Sequence, residues 1–197
     1  VSKREVATDT FEFFFKNERP LIYRPGQYVW IILNGLAHPD PAGQRRAMSI
    51  LSGPNEKNEF SIVCRISNSG FKQTLAGLEI GSEVTVEGAF GSAFTLPEDP
   101  NTPLVMLCGG TGVAPFIPLL NAAIRENKLQ NLAIIQNANS REKAVFAKEI
   151  EEISTRNPHY TGKVEIGKPN WDSIKDISKV DKAIFYISGP QGYVDAM

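Results

Sequence analysis

Three prolines fall within the eight residues Leu96–Pro103, and the apolar residues follow a different period on either side of them. A change of period across a proline-rich joint predicts two structural units meeting near residue 100. Before the joint the chain alternates. Thr10 to Phe15, Gln27 to Leu33, Phe60 to Ile66 and Glu83 to Glu87 read as strands, separated by the turn signals PGQ, GPNEKN and LEIGSE. Only the run around Phe71 to Leu78 has a helical pattern. Several strands with one short helix predict an antiparallel β-barrel over residues 1–99. Beyond the joint, Leu104–Cys108, Leu132–Asn137, Lys163–Ile166 and Lys182–Ser188 are strand-like, and Val113–Asn127 and Glu142–Thr155 are helical. Ser140 is placed to cap the second helix, with Val145, Phe146, Ile150 and Ile153 on its apolar face. That alternation predicts an α/β domain with a parallel sheet over residues 100–197.

Composition excludes several classes of function. Of the 197 residues 42% are hydrophobic and 22% charged, and the formal net charge is −1, so no broad field attracts nucleic acid or anionic lipid. The apolar runs have the length of strands and fall short of a membrane span, and no charged-then-apolar leader opens the sequence, so a cytoplasmic location is expected. Cys64 and Cys108 lie inside apolar runs without a C-x-x-C pair, which reads as two buried free thiols and no metal site.

Gly109 to Pro115 (GGTGVAP) lie between the strand-like run Leu104–Cys108 and a helical one. Glycines at such a junction let the backbone turn tightly and approach a ligand, and the helix that follows offers unpaired N–H groups to an anion. Taken alone, the motif is equally a glycine-rich turn. A second glycine-bearing turn, SGPQG from Ser188, follows another strand, and in parallel sheets ligands bind beyond the carboxyl ends of the strands. The two turns therefore point to one crevice.

The remaining motifs make the reading specific. In order they are the R-x-x-S tetrad Arg46, Ala47, Met48 and Ser49, a strand ending Val63–Arg65, SGFKQT (Ser69–Thr74), EGAFGS (Glu87–Ser92), GGTGVAP, and SGPQGY (Ser188–Tyr193). In this order and spacing the whole chain resembles the ferredoxin–NADP reductase family. The resemblance implies a flavoprotein oxidoreductase that passes a hydride from NAD(P)H to FAD and then electrons to an acceptor such as ferredoxin, flavodoxin or an oxygenase component. It gives Arg46 to the FAD pyrophosphate and Ser49 to the flavin near N5, with Ala47, Met48, Cys64, Arg65, Gly70, Phe71, Lys72 and Thr74 completing the flavin site. Cys64 and Arg65 would act mainly through their backbone.

Gly110, Thr111, Gly112 and Pro115 are given to the pyrophosphate and nicotinamide ribose of the coenzyme, and Ser188, Gly189 and Pro190 to the nicotinamide, Ser188 beside the reacting carbon. The adenosine end would reach Ser140 and Arg141. With no acid at that strand end, the cluster favours NADPH over NADH, although a capping serine and a solvated arginine account for both residues without a ligand.

The sequence departs from the family in three places. Met48 stands where an aromatic is common, Ser188 where cysteine is common, and SGFKQT has one glycine where a pair is usual. Relatives also continue with a last strand and a terminal aromatic, which implies a C-terminal domain incomplete at residue 197. Two alternatives fit the same pattern: an electron-transfer subunit of a larger complex like that of dihydroorotate dehydrogenase, and a flavin-free nucleotide-binding scaffold.

Overall fold

A computed structural model describes residues 1–54, 58–127, 131–178 and 182–197, the last three of helix Trp171–Ser178 by backbone alone. The middle of the GPNEKN turn, residues 55–57, lies outside the described residues. The first unit contains β1 (Ser2–Ala7), β2 (Thr10–Lys16), β3 (Tyr28–Ile32), β4 (Arg45–Ser49), β5 (Glu59–Arg65), α1 (Gly70–Gly77) and β6 (Thr85–Phe90). Its strands form two antiparallel three-stranded sheets, β1-β2-β5 and β4-β3-β6, joined by an isolated bridge between Ile50 and Ile62. Side chains alternate in and out, so Phe13 and Phe15, Val29 and Ile31, and Phe60 and Ile62 meet in one buried core. The rings of Phe15 and Phe60 stack there at 5.0 Å. Helix α1 adds Phe71 and Leu75 to that core. Cys64 is buried in it, and the partly buried Met48 packs against it.

The second unit contains β7 (Leu104–Gly109), a 3-10 turn (Gly110–Val113), α2 (Phe116–Glu126), β8 (Leu132–Ala138), α3 (Ala147–Glu151), α4 (Ile153–Arg156), β9 (Tyr160–Ile166), α5 (Trp171–Ser178), β10 (Ile184–Ser188) and α6 (Gln191–Val194). The sheet is parallel, in the order β10-β7-β8-β9. Every residue of β7 and β8 is buried, as expected for central strands covered on both faces. Leu104, Met106, Cys108 and Ile134 face α2 residues such as Phe116 and Leu120, whereas Val105, Leu107, Ala133 and Ile135 face Ile174 of α5. Pro118 is tolerated in the first turn of α2, and Asn127 ends that helix in the left-handed conformation (φ 45°).

Several elements depart from the expectation. Glu142–Thr155 is not one helix: Arg141–Lys143 make a 3-10 turn, Ala144 is extended, and Phe146 takes a left-handed conformation (φ 58°) before α3 and α4. The apolar stripe survives because Val145, Ile150 and Ile153 are still buried. Ser140 does not cap a helix; its backbone is extended and its side chain makes no capping hydrogen bond. Strands β1 and β4 and helix α5 carry too many charged residues for apolar periodicity to mark them.

Helices α3 and α4 press on β9 at Gly162, where an added Cβ would overlap the Ile150 carbonyl and approach Ile153 Cγ2. Backbone cannot rotate away as a side chain can. Gly162→Ala should lower unfolding free energy by about 3 kcal/mol, the upper range for overpacking, measured by urea denaturation.

Candidate active site

The carboxyl ends of β7 and β10 bring the two glycine-bearing turns into direct contact. A Cβ on Gly112 would overlap the Ser188 carbonyl oxygen and lie 2.6 Å from Cα of Gly189. Only glycine fits where these backbones touch. Tyr193 of α6 packs over the same point, its Cγ 2.8 Å from the position a Cβ would take on Gly109. Its hydroxyl donates to Asn137 Oδ1 (3.0 Å), and Asn137 Nδ2 donates to Glu165 Oε2 (3.4 Å), which is paired with Lys163 (2.8 Å). Burial and nearby negative charge push the Tyr193 phenol above its ordinary pKa, so it stays a neutral donor. Gln136, fully buried, donates from Nε2 to the Gly110 carbonyl (3.0 Å). Its Oε1 has no hydrogen-bond partner among the described residues.

The barrel contributes Arg65, at the end of β5. Its Nη2 donates to the Lys143 carbonyl (3.1 Å) and lies 3.4 Å from where a Cβ on Gly110 would stand. Nε of the same guanidinium is buried without a hydrogen-bond partner among the described residues. A buried unpaired donor and a buried unpaired acceptor at one glycine turn are costly unless a ligand meets them. The neighbouring strand β4 alternates: Arg46 and Met48 face inward with Val29 and Ile31, while Ala47 and Ser49 pair across the outer face with Trp30 and Tyr28. Ser49 is half-buried.

Other predicted residues are held by the chain itself. Arg46 bonds Asp40 Oδ1 (2.7 Å) and lies with its guanidinium carbon 5.1 Å from the centre of the Phe71 ring. Thr74 Oγ1 donates to the Gly70 carbonyl (2.7 Å) and accepts from Ala37 N (2.9 Å). The first-turn amides of α1 are likewise engaged: Phe71 N donates to Asp40, Lys72 N to Ser69 Oγ, and Gln73 N to the Ser69 carbonyl. Arg141 forms a two-nitrogen pair with Glu151, both exposed. Gln136, Tyr193 and Asp40 were not marked as functional by the sequence; only the position of Gln136 near a strand end signalled it.

The donor set suits a dinucleotide and a flavin. Arg65 at the end of β5 and Lys72 in the first turn of α1 are cations, Gly112 admits close backbone approach, and Arg65 Nε and Gln136 Oε1 are buried polar atoms without a partner among the described residues.

Comparison with known proteins agrees with this arrangement. Residues 1–94 match the oxidoreductase FAD-binding domain and residues 106–197 the oxidoreductase NAD-binding domain. The chain belongs to the ferredoxin–NADP reductase-like family, a two-domain class of flavin- and pyridine-nucleotide-binding oxidoreductases. It is 29% identical over 156 residues to the glycine betaine monooxygenase reductase subunit of Chromohalobacter salexigens, covering 77% of this chain and 41% of that protein. It is 26% identical over 182 residues to ferredoxin–NADP reductase B of Sorangium cellulosum, covering 90% and 66%. The solved structure of ferredoxin–NADP+ reductase from Plasmodium falciparum superposes with a TM-score of 0.80 at 20% identity, covering 100% of this chain and 85% of that one, a likeness of fold. The chain thus spans between two fifths and two thirds of the length of these two relatives. Among the described residues, no helix is long and apolar enough to cross a membrane.

Gly112→Ala must separate the two turns. The variant should fold but lose at least about tenfold in coenzyme affinity, as expected when a small misplacement disturbs a built site, measured by calorimetric titration.

Proposed function

We propose that the protein is a reductase that takes a hydride from NAD(P)H onto FAD and delivers electrons to a protein acceptor such as a ferredoxin, a flavodoxin or an oxygenase component. The observation that carries this reading is the contact of the Gly110–Val113 turn with Ser188 and Gly189 on one side and Arg65 of the barrel on the other. Residues 1–99 serve as the flavin unit and residues 100–197 as the coenzyme unit. FAD supplies a hydride-accepting centre and a store from which electrons leave singly or in pairs.

The chain's part is to bind, orient and exclude water. Arg46, Lys72 and Arg65 supply positive charge for phosphate, and Met48 supplies apolar contact from the barrel side. The Ser49 hydroxyl offers a small donor or acceptor to the flavin edge. Gly110, Thr111, Gly112 and Pro115 receive the coenzyme diphosphate at the head of α2, while Ser188 and Gly189 bound the nicotinamide side. Hydride transfer itself requires no acid or base from the protein. Relatives that are reductases and reductase subunits of oxygenases support this reading over a flavin-free scaffold. A cytoplasmic setting belongs to the same proposal, supported by two buried free cysteines.

A purified sample should be yellow and lose its flavin absorbance on addition of NADPH or NADH under stopped flow. Ser49→Ala should retain FAD and slow that reduction by roughly ten- to a thousandfold, the range for removing one positioned polar contact at a reacting centre. Reduction at the wild-type rate would make Ser49 purely structural.

NADPH is the proposed coenzyme, with Arg141 taking the 2′-phosphate in exchange for its surface pair with Glu151, an exchange that costs little because both partners are exposed. Arg141→Ala should raise KM for NADPH roughly tenfold or more and leave that for NADH nearly unchanged. Equal loss of both coenzymes would return Arg141 to a structural role.

A further inference from the structure

We infer that Asp40 is a positioning residue of the flavin site: its buried carboxylate binds Arg46, Ser69 and the first turn of α1 into one unit and sets how the Arg46 guanidinium is presented. The inference rests on the reading of Arg46 as a flavin-phosphate ligand. Four donors from three segments converge on this one group. Oδ2 accepts from Ser69 Oγ (2.5 Å) and Phe71 N (3.0 Å), and Oδ1 accepts from Arg46 Nη2 (2.7 Å) and Ala42 N (3.0 Å). The Asp40 side chain is 5% exposed and that of Arg46 20%.

Arg46 is held from its other nitrogen as well. Nη1 donates to the carbonyls of Ala42 (2.7 Å), Gly43 (2.9 Å) and Arg45 (2.8 Å). Nε takes part in none of these bonds. With Phe71 beneath the guanidinium plane, the side chain has lost most of its rotameric freedom before any ligand arrives. A donor fixed in this way binds an anion without a further ordering cost.

A competing possibility is that Asp40 stands in for the phosphate and must leave when flavin binds. The surrounding loop argues against it. Ala37 N donates to Thr74 Oγ1 (2.9 Å), and a Cβ on Gly70 would overlap the His38 carbonyl, so residues 37–40 are packed onto the head of α1 as part of the fold. The hydrogen bonds from Ser69 and Phe71, with the Arg46 charge beside them, hold the Asp40 carboxyl well below the usual carboxylate range. The group therefore remains an anion at any pH at which the protein works. Expelling it would leave a charged group to be rehydrated and four donors to be paired again.

The test is a double-mutant cycle on the full chain, freed of flavin and titrated with FAD, with Kd read from quenching of flavin fluorescence and folding checked by urea midpoint. Asp40→Asn keeps the size of the side chain and removes the ion pair. FAD affinity should fall by roughly tenfold or more where Arg46 is present, the range for loss of a charge-assisted contact. It should change less than about twofold in an Arg46→Ala background, because the carboxylate acts through Arg46. Ser69→Ala, which leaves both charges in place and loosens the carboxylate, should cost roughly two- to fivefold with Arg46 and nothing without it.

Unchanged or tighter FAD binding by Asp40→Asn, or equal losses in both backgrounds, would overturn the assignment. If Asp40→Asn does not fold, Ser69→Ala alone decides: no loss with Arg46 present overturns it. Unchanged affinity in Arg46→Ala alone would instead refute Arg46 as a ligand, which separates the two failures.

Discussion

The arrangement depends on a hydrophobic core that runs through the boundary between the two units. Leu51 and Val63 of the barrel are buried in the same cluster as Met106, Val113, Phe116 and Val145 of the α/β unit, with Val6, Ala7, Phe94 and Leu96 packed against it. Phe94 sets its ring edge-on to Phe116 at 5.1 Å and lies 5.1 Å from Tyr186. Directional bonds fix the register of this joint: Tyr186 OH donates to the Thr95 carbonyl (2.7 Å), and Thr8 N donates to the Glu142 carbonyl (3.0 Å). Transfer of a hydride between two bound groups requires reacting atoms held at about 3–3.5 Å. A joint packed like a domain interior supplies that constancy, where a hinge would not.

Charge near the site is managed by pairing it within the chain. Asp40 with Arg46, Glu165 with Lys163, and Glu151 with Arg141 each tie a cation to a neighbouring carboxylate. The pairs differ in burial and hence in consequence. Arg141 and Glu151 stand in solvent and can exchange partners cheaply, whereas Asp40 is enclosed and behaves as part of the scaffold. The two cysteines are managed by burial alone. Desolvation raises both thiols, Cys108 the more strongly, which keeps them protonated.

Much of this was legible in the sequence because burial on both faces leaves a continuous apolar run, as in Leu104–Cys108, and burial on one face leaves alternation, as in Phe13, Phe15, Phe60 and Ile62. The glycine turn was legible for a related reason: backbone contact at Gly112 tolerates no side chain. What escaped has equally physical causes. Strand β4 carries two arginines whose apolar stems and ion pairs help to hold it in place beside the single apolar anchor Met48, so periodicity is silent. The break at Phe146 lies in a residue type that rarely takes a left-handed conformation and is held there by tertiary packing. Contacts such as Tyr193 with Asn137, 56 residues apart, or Asp40 with Ser69, 29 apart, exist only once the chain has folded.

Strand β4 stands at the end of its three-stranded sheet, with β3 as its ladder partner. One flank of the backbone from Arg45 to Ser49 is therefore outside the ladder until Ile50 bridges to Ile62. An open flank of this kind is a template on which a foreign strand can add, and proteins guard such flanks with charge. Arg45, stacked at 4.2 Å over Trp30 and paired with Glu87, is such a guard on the outer face. The same stretch that is read as recognising the flavin is thus a colloidal weak point of the apoprotein.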